Sequence, residues 1–161
     1  CADTALIGAP SASAAYVFTR SGVTWTQQAK LQPPDVQGNS QFGYSVALSG
    51  DTAFVGRPLY DHAGGVDAGS VYVFVRNGLA WDQQAVLVAP DGNAGDYFGL
   101  PVAARDDTVV IGAYSADHSA LVDAGAASRR CGWRRPNALD PRYRHHDGVH
   151  LGAASPDDAA V

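Results

Sequence analysis

Short strand-like runs of hydrophobic residues, separated by turn-forming residues, fill most of the chain up to residue 127. Between residues 44 and 88 there are four such runs: Tyr44–Leu48, Thr52–Val55, Ser70–Arg76 and Trp81–Val88. Ser49-Gly50-Asp51 joins the first two runs and Asn77-Gly78 joins the last two, and both are signals of tight hairpin turns. The pattern therefore predicts two β-hairpins in this stretch.

Apolar side chains occupy both alternating faces of the third run. Tyr72 and Phe74 lie on one face, and the other face carries Val71, Val73 and Val75. A strand that is apolar on both faces needs a packed layer on each side to keep those faces from water. We therefore expect sheets that stack face to face.

The whole pattern repeats after 56 residues. The matching segments include Tyr16-Val17-Phe18 with Tyr72-Val73-Phe74, Trp25 with Trp81, and Gln27-Gln28-Ala29 with Gln83-Gln84-Ala85. Residues 16–56 and 72–112 share 19 identities in 41 positions without a gap. Four antiparallel strands per repeat, stacked face to face, describe the blade of a β-propeller, so we predict an all-β partial propeller of about two to three blades. Pro101 falls within one strand copy and suits an edge strand.

Composition supports an all-β fold and excludes some partners. The chain has 161 residues without methionine; its 16 acidic residues are all Asp, and Lys30 is its one lysine, which disfavours surface helices. A net charge of -5 argues against nucleic acid, and no apolar run approaches the length of a membrane span. Cys1 and Cys131 are too few for a disulfide framework. Because the chain begins in mid-pattern at Cys1, we interpret it as an internal fragment.

Two short motifs recur in register with the repeat. One is Phe42-Gly43 and Phe98-Gly99, and the other is Ile7-Gly8-Ala9-Pro10, Val55-Gly56-Arg57-Pro58 and Ile111-Gly112-Ala113-Tyr114. With these motifs the repeat resembles the FG-GAP family, in particular its bacterial branch, over about residues 1–127. The resemblance implies propeller blades like those of integrin α-subunits and bacterial surface proteins, an extracellular or cell-surface location, and further repeats of the same chain to close the ring.

The repeat divides the chain into blades and a tail. We predict a partial blade over 1–31, a complete blade over 43–88 and a partial blade over 99–127. Residues 1–127 carry a net charge of -7, whereas residues 128–161 carry +2 and break the pattern. The tail is interpreted as irregular or frameshifted, with an arginine patch around Trp133 and a histidine cluster at His145, His146 and His150 as weaker alternatives.

The calcium loop of integrin-type repeats is not carried over to this chain. That loop is Asp-rich and follows the Phe-Gly strand, but here its place is taken by Ser49-Gly50-Asp51 and by Arg105-Asp106-Asp107. Three residues cannot present the six or more oxygens that calcium takes. We therefore predict no cofactor. The short stretch Asp91–Asp96 is the segment that most resembles a calcium-binding loop.

Long connections at one end of the blades collect the candidate ligand-binding residues. These are Asp61, His62, Asp67, Asp91, Asn93, Asp96, Asp117, His118 and Asp123. Binding residues are frequent on such loops, so one interpretation is an acidic face for a protein, carbohydrate or metal ligand. The other interpretation, which we favour, is that Asp and Gly cap the turns.

Large aromatic residues and glycines of the signature have predicted packing roles. We expect Phe42, Phe98, Trp25 and Trp81 to be the large apolar side chains of the blade cores, with a cost of roughly 3–5 kcal/mol for Trp81→Ala. We expect the repeated glycines to allow close approach of blades or bulges, and they are Gly43, Gly56, Gly99 and Gly112.

Catalytic motifs are absent from the sequence: it contains no Glu for a Glu-based carboxylate pair and no Gly-x-Ser-x-Gly elbow. Our leading hypothesis is a non-catalytic, binding or adhesion-type propeller segment of a larger bacterial surface or secreted protein. The alternatives are the propeller portion of a secreted hydrolase or lyase with its catalytic residues elsewhere, and a purely structural repeat.

Overall fold

In a computed structural model, the described part of the chain contains eleven β-strands and one 3-10 turn, joined by loops. The structure describes residues 3–35, 40–116, 126–131 and 149–150, the last two ranges by their backbone only. The elements are β1 Thr4–Ala9, a 3-10 turn Pro10–Ala12, β2 Ala14–Ser21, β3 Thr24–Leu31, β4 Val46–Ser49, β5 Thr52–Arg57, β6 Ser70–Asn77, β7 Ala80–Leu87, β8 Phe98–Arg105, β9 Thr108–Ala113, β10 Ala126–Cys131 and β11 Val149–His150.

The strands form three antiparallel sheets in chain order. Sheet 1 has the order β1-β2-β3, sheet 2 has β4-β5-β6-β7, and sheet 3 has β8-β9-β10-β11. Tight turns at Gly50 and Gly78, both with positive φ, close the two predicted hairpins of sheet 2. The predicted all-β fold of stacked antiparallel sheets is confirmed, with three strands in sheet 1 and four in each of sheets 2 and 3.

Two apolar layers hold the three sheets together, one on each face of sheet 2. Tyr72 and Phe74 pack with Val17 and Leu31 of sheet 1. On the opposite face, Val71 and Val73 pack with the hydrophobic side chains of β8 and β9. The predicted double-sided burial of β6 is confirmed, because its alternating side chains belong to different layers.

Three of the four predicted glycines, Gly43, Gly56 and Gly99, lie where consecutive sheets touch, whereas a Cβ atom at Gly112 would meet Leu100 and Pro101 of its own sheet. At the start of sheet 2, the backbone N–H of Gly43 donates to the carbonyl of Gly56 over 2.9 Å. A Cβ atom at Gly8 would collide with the carbonyl oxygen of Gly43, and one at Gly56 would collide with that of Gly99. The predicted close approach is confirmed, since only glycine lets these backbones meet.

The aromatic prediction is correct for phenylalanine and wrong for one of the tryptophans. Phe42 and Phe98 are buried, each in one of the two apolar layers. Trp81 is half-buried beside the first layer, whereas Trp25 is 47% exposed. Trp25 points away from sheet 2, and in the described part of the chain no further sheet covers that side.

Sheet 3 shows how the repeat continues toward its end. Pro101 lies in β8, which is the edge strand of its sheet, as predicted. Strand β10 pairs with β9 from Ala126 to Cys131, so its backbone runs on past the boundary predicted at Ala127. Trp133 and the cluster of His145 and His146 lie outside the described residues.

Candidate ligand-binding face

Two long connections meet at one end of the stacked sheets, opposite the tight hairpin turns. They are residues 58–69, between β5 and β6, and residues 88–97, between β7 and β8; together they are called the loop face below. The N–H of Gly95 donates to Val66 O over 2.9 Å, and that of Tyr97 to Asp67 O over 3.1 Å. The loop face is therefore one hydrogen-bonded surface built from two sheets.

Asp61 and Asp67 shape the first connection. A side-chain oxygen of Asp61 accepts a hydrogen bond from the backbone N–H of Asp67 over 2.8 Å. Asp67 itself has a φ of 55°, in the left-handed region that Asp tolerates better than most residues. The carboxylate of Asp61 thus caps a turn, as short acidic side chains commonly do.

Both ring nitrogens of His62 face backbone groups of its own loop. Nδ1 accepts from the N–H of Gly64 over 3.0 Å, and Nε2 lies 3.1 Å from the carbonyl oxygen of Gly69. In this pair of contacts Nδ1 is the acceptor, and Nε2 faces a carbonyl oxygen as the donor. The imidazole therefore fixes the shape of the loop, with neither nitrogen turned to solvent.

Asp91, Asn93 and Asp96 are brought together in the second connection. The backbone N–H of Asn93 donates to a carboxylate oxygen of Asp96 over 2.8 Å, and its side-chain amide donates to the carbonyl of Asp91 over 3.1 Å. Asp96 is buried. Within the described residues, no group of three or more His, Cys, Asp or Glu side chains is placed to hold a metal ion.

Three predicted residues have no described position. Asp117, His118 and Asp123 lie in the connection between β9 and β10, which is outside the described residues. The six described candidates are thus split between two loops, and the described hydrogen bonds join them to backbone groups.

A buried polar network beneath the loop face was not predicted from the sequence. Arg57 is fully buried: Nη1 donates to the Asp35 carboxylate (2.9 and 3.0 Å) and to the Tyr72 hydroxyl (2.7 Å), and Nε donates to Ser40 Oγ (2.7 Å). The guanidinium lies 4.5 Å from the ring centre of Tyr60, in a cation–π contact. The network ties the connection between sheets 1 and 2 to the end of β5.

The network perturbs both of its acids. Burial raises the pKa of Tyr72 to about 12, with the Asp35 carboxylate adding to the effect and Arg57 opposing it. Partial burial by itself also raises the pKa of Asp35, but the hydrogen bond and charge of Arg57 outweigh it, so the pKa lies below its usual value. At neutral pH the network is therefore an ion pair with a neutral phenol.

A signal for this network exists in the repeat. Arg57 stands where the other two copies of the motif carry Ala9 and Ala113. A charged residue at a position that is otherwise small marks a local departure from the repeat, and a buried charge needs a partner.

A second polar contact joins sheets 1 and 2 at their outer strands. The side-chain oxygen of Gln28 accepts from Arg76 Nη2 and from the indole Nε1 of Trp81, each over 3.1 Å. Gln28 is the extra residue of a β-bulge, because Val17 pairs with Ala29 and Phe18 pairs with Gln27. A bulge re-aims a side chain, and here it directs the glutamine toward the next sheet.

The geometry of stacked antiparallel sheets of three or four strands, with glycines at each sheet-to-sheet contact, defines a propeller-type repeat domain. The sequence matches the FG-GAP repeat family over residues 25–74 and 81–128, which is more than half of the chain. The chain therefore belongs to the FG-GAP repeat family. A comparison with curated proteins found no match. Among the described residues, no helix is long and apolar enough to cross a membrane.

Proposed function

We propose that the chain is a non-catalytic binding segment of a bacterial surface or secreted protein, and that it presents the loop face to a protein or carbohydrate ligand. The observation that carries the proposal is that backbone hydrogen bonds join a loop within sheet 2 to the loop that connects sheet 2 with sheet 3. A surface held in this way pays little ordering entropy when a ligand binds. Membership of a family that commonly serves binding and adhesion supports the same function.

The chemistry of the loop face favours binding over catalysis. The His62 ring is used to shape its loop, and Asp61 and Asp96 cap turns. Exposed groups remain at the surface, among them Val66, which is 63% exposed. An apolar side chain among acidic turns is suited to contact a ligand without activating it.

A pair of matched variants tests the proposal. Val66 on the loop face and Leu79 in the opposite hairpin turn are both exposed apolar residues, 63% and 83%. The native chain would be applied to an array of glycans and extracellular matrix proteins. We expect Val66→Asp to weaken a detected interaction by about tenfold or more, as for a contact residue near the centre of an interface, and Leu79→Asp to leave it unchanged.

Two results would contradict the proposal. Equal loss of binding in both variants would remove the loop face as the contact surface. Conversion of any arrayed glycan to a product by the native chain would show that it acts as an enzyme.

A further inference from the structure

The contact of Gln28 with sheet 2 has an inserted half and a receiving half. The inserted half is the bulged glutamine of a β2–β3 hairpin, whose side-chain oxygen accepts both hydrogen bonds. The receiving half is the pair of Arg76 and Trp81 in the next sheet, which donate them. Arg76 lies 5.1 Å from the ring centre of Trp81 and also donates to Thr4 Oγ1 over 2.9 Å. The two halves fix the alignment of one sheet on the next.

Sheet 1 carries its own copy of the receiving half. Arg20 lies 5.6 Å from the ring centre of Trp25 and pairs with Asp3, as Arg76 pairs with Trp81 and Asp51. In sheet 1, however, the pair is exposed to solvent, and no glutamine of the described residues hydrogen-bonds to it.

The apolar surroundings of the pair are repeated as well. The outer face of sheet 1, called the receiving face below, carries Ala5, Ile7, Tyr16, Phe18 and Trp25. Their counterparts in sheet 2 are Ala53, Val55, Tyr72, Phe74 and Trp81, and sheet 1 covers all of them. The difference is largest at the second position, where Ile7 is 52% exposed and Val55 is buried completely.

Packing of a further repeat on this face is already implied by the repeat architecture; we propose that the receiving face selects the hairpin that docks there by a bulged glutamine, placed between Arg20 and Trp25. The junction of sheets 1 and 2 supplies the template, since every receiving residue has a covered counterpart there. The inference rests on the repeat-domain part of the proposed function and is independent of the loop face.

The chemistry of the partner follows from the template. It needs small or β-branched residues at the places of Ala15 and Val17, and a glutamine at the place of Gln28. The third repeat of this chain has Arg129 and Asp140 where sheet 2 has Val73 and Gln84. This sequence does not match the template, so a third repeat from a second copy is not the occupant.

The test measures exchange of indole Nε1 hydrogens by NMR, with resonances assigned through Trp→Phe variants. A copy of residues 14–50 is placed directly ahead of Asp3, with Trp25→Phe in the copy, so that Gly50 precedes Asp3 as it precedes Asp51. The copy brings one hairpin with its glutamine and one edge strand. We expect exchange at Trp25 to become about tenfold slower, approaching that of Trp81, as one added hydrogen bond would produce.

Two neighbouring glutamines provide the matched control. With Gln28→Ala in the copy, the Trp25 indole should again exchange almost as fast as in the native chain. With Gln27→Ala in the copy, its exchange should stay slow. If Trp25 exchanges as fast as in the native chain while Trp81 stays protected in the same molecule, the proposal is overturned. Slowing of Trp25 with rising concentration of the native chain would assign the face to a second copy and would also overturn it.

The native chain supplies a second measurement that does not depend on folding of the extended one. Gln28→Ala should accelerate exchange at the Trp81 indole, and Gln27→Ala should leave it unchanged. Equal exchange in both variants would refute recognition by glutamine. Failure of the loop-face proposal shows in the array with Val66→Asp and leaves these indole measurements unaffected.

Discussion

The two junctions between successive sheets share one backbone frame and use different chemistry. The junction of sheets 1 and 2 contains an aromatic layer and the ion pair of the buried Arg57 with the partly exposed Asp35. The junction of sheets 2 and 3 is mainly aliphatic, and Ala113 stands where Arg57 would be. Both junctions therefore use the same glycine contacts between backbones, whereas the side chains packed between the sheets differ from one junction to the other.

The largest expected loss of stability comes from removing the buried phenylalanine ring of one junction at a time. Phe42→Ala removes a buried ring from the first junction, and Phe98→Ala removes one from the second. Each should lower the free energy of unfolding by about 3–5 kcal/mol, measured by urea titration. Hydrogen exchange should show loss of protection in sheet 1 for Phe42→Ala and in sheet 3 for Phe98→Ala. Identical exchange patterns would mean that the junctions are not separate layers.

A smaller effect separates the two tryptophans. Trp81 packs beside the first junction and donates to Gln28, whereas Trp25 lies on the open face. We expect Trp81→Ala to cost about 2 kcal/mol, less than for a fully buried ring, and Trp25→Ala to cost under about 1 kcal/mol. Thermal melts of both variants would check this, and equal costs would contradict the difference in packing.

The ion pair of the first junction is expected to contribute a comparable or smaller amount. Asp35→Asn leaves the buried Arg57 without a counter-charge, at a cost of about 1–2 kcal/mol after allowance for the partial exposure of Asp35. Asp35→Ala with Arg57→Ala recreates the alanine of the second junction and should cost less than Arg57→Ala and Asp35→Ala added together. Additive costs in urea titrations would show that the two residues do not interact.

The smallest effect is the dependence of the first junction on pH. The pKa of Asp35 is lowered on folding, so its contribution is present above the unfolded value and is lost as the pH falls through the folded one. The pKa of Tyr72 is raised to about 12, so its contribution is present below the unfolded value of 10.0 and is lost as the pH rises toward 12. Asp35→Asn should flatten the acid limb of a stability profile, and Tyr72→Phe the alkaline limb.

Much of the fold could be predicted because each strand pattern recurs at the equivalent position of a second repeat. The strands of sheet 2, their hairpin turns and the two-sided burial of β6 follow from alternation and from recurrence in register. The exposure of Trp25 could not be predicted from residue type, because Trp81 is the same residue at the equivalent position of the repeat. Their difference arises from whether another sheet lies beside them.

The sequence predicted where the candidate loops lie and favoured turn-capping for their carboxylates, but it did not show which carboxylates act as caps. The loops that carry Asp61 and Asp91 do lie at one end of the sheets, as chain connectivity requires. Whether a carboxylate caps a turn or faces a ligand depends on where backbone N–H groups point, and this is a property of the folded loop. Arg57 was visible in the sequence as a departure from alanine, but its partners lie 15 to 22 residues away.

The sequence by itself determined the repeat, the strands, the sides of each strand and the glycines at the sheet contacts, because these depend on local alternation and on the absence of a Cβ. The tertiary structure decided which repeat-equivalent residues are covered, which carboxylates are used as caps, and that Gln28 reaches across to Arg76 and Trp81. These outcomes depend on contacts between sheets, and equivalent positions of the repeat acquire different surroundings according to the neighbour that packs on them.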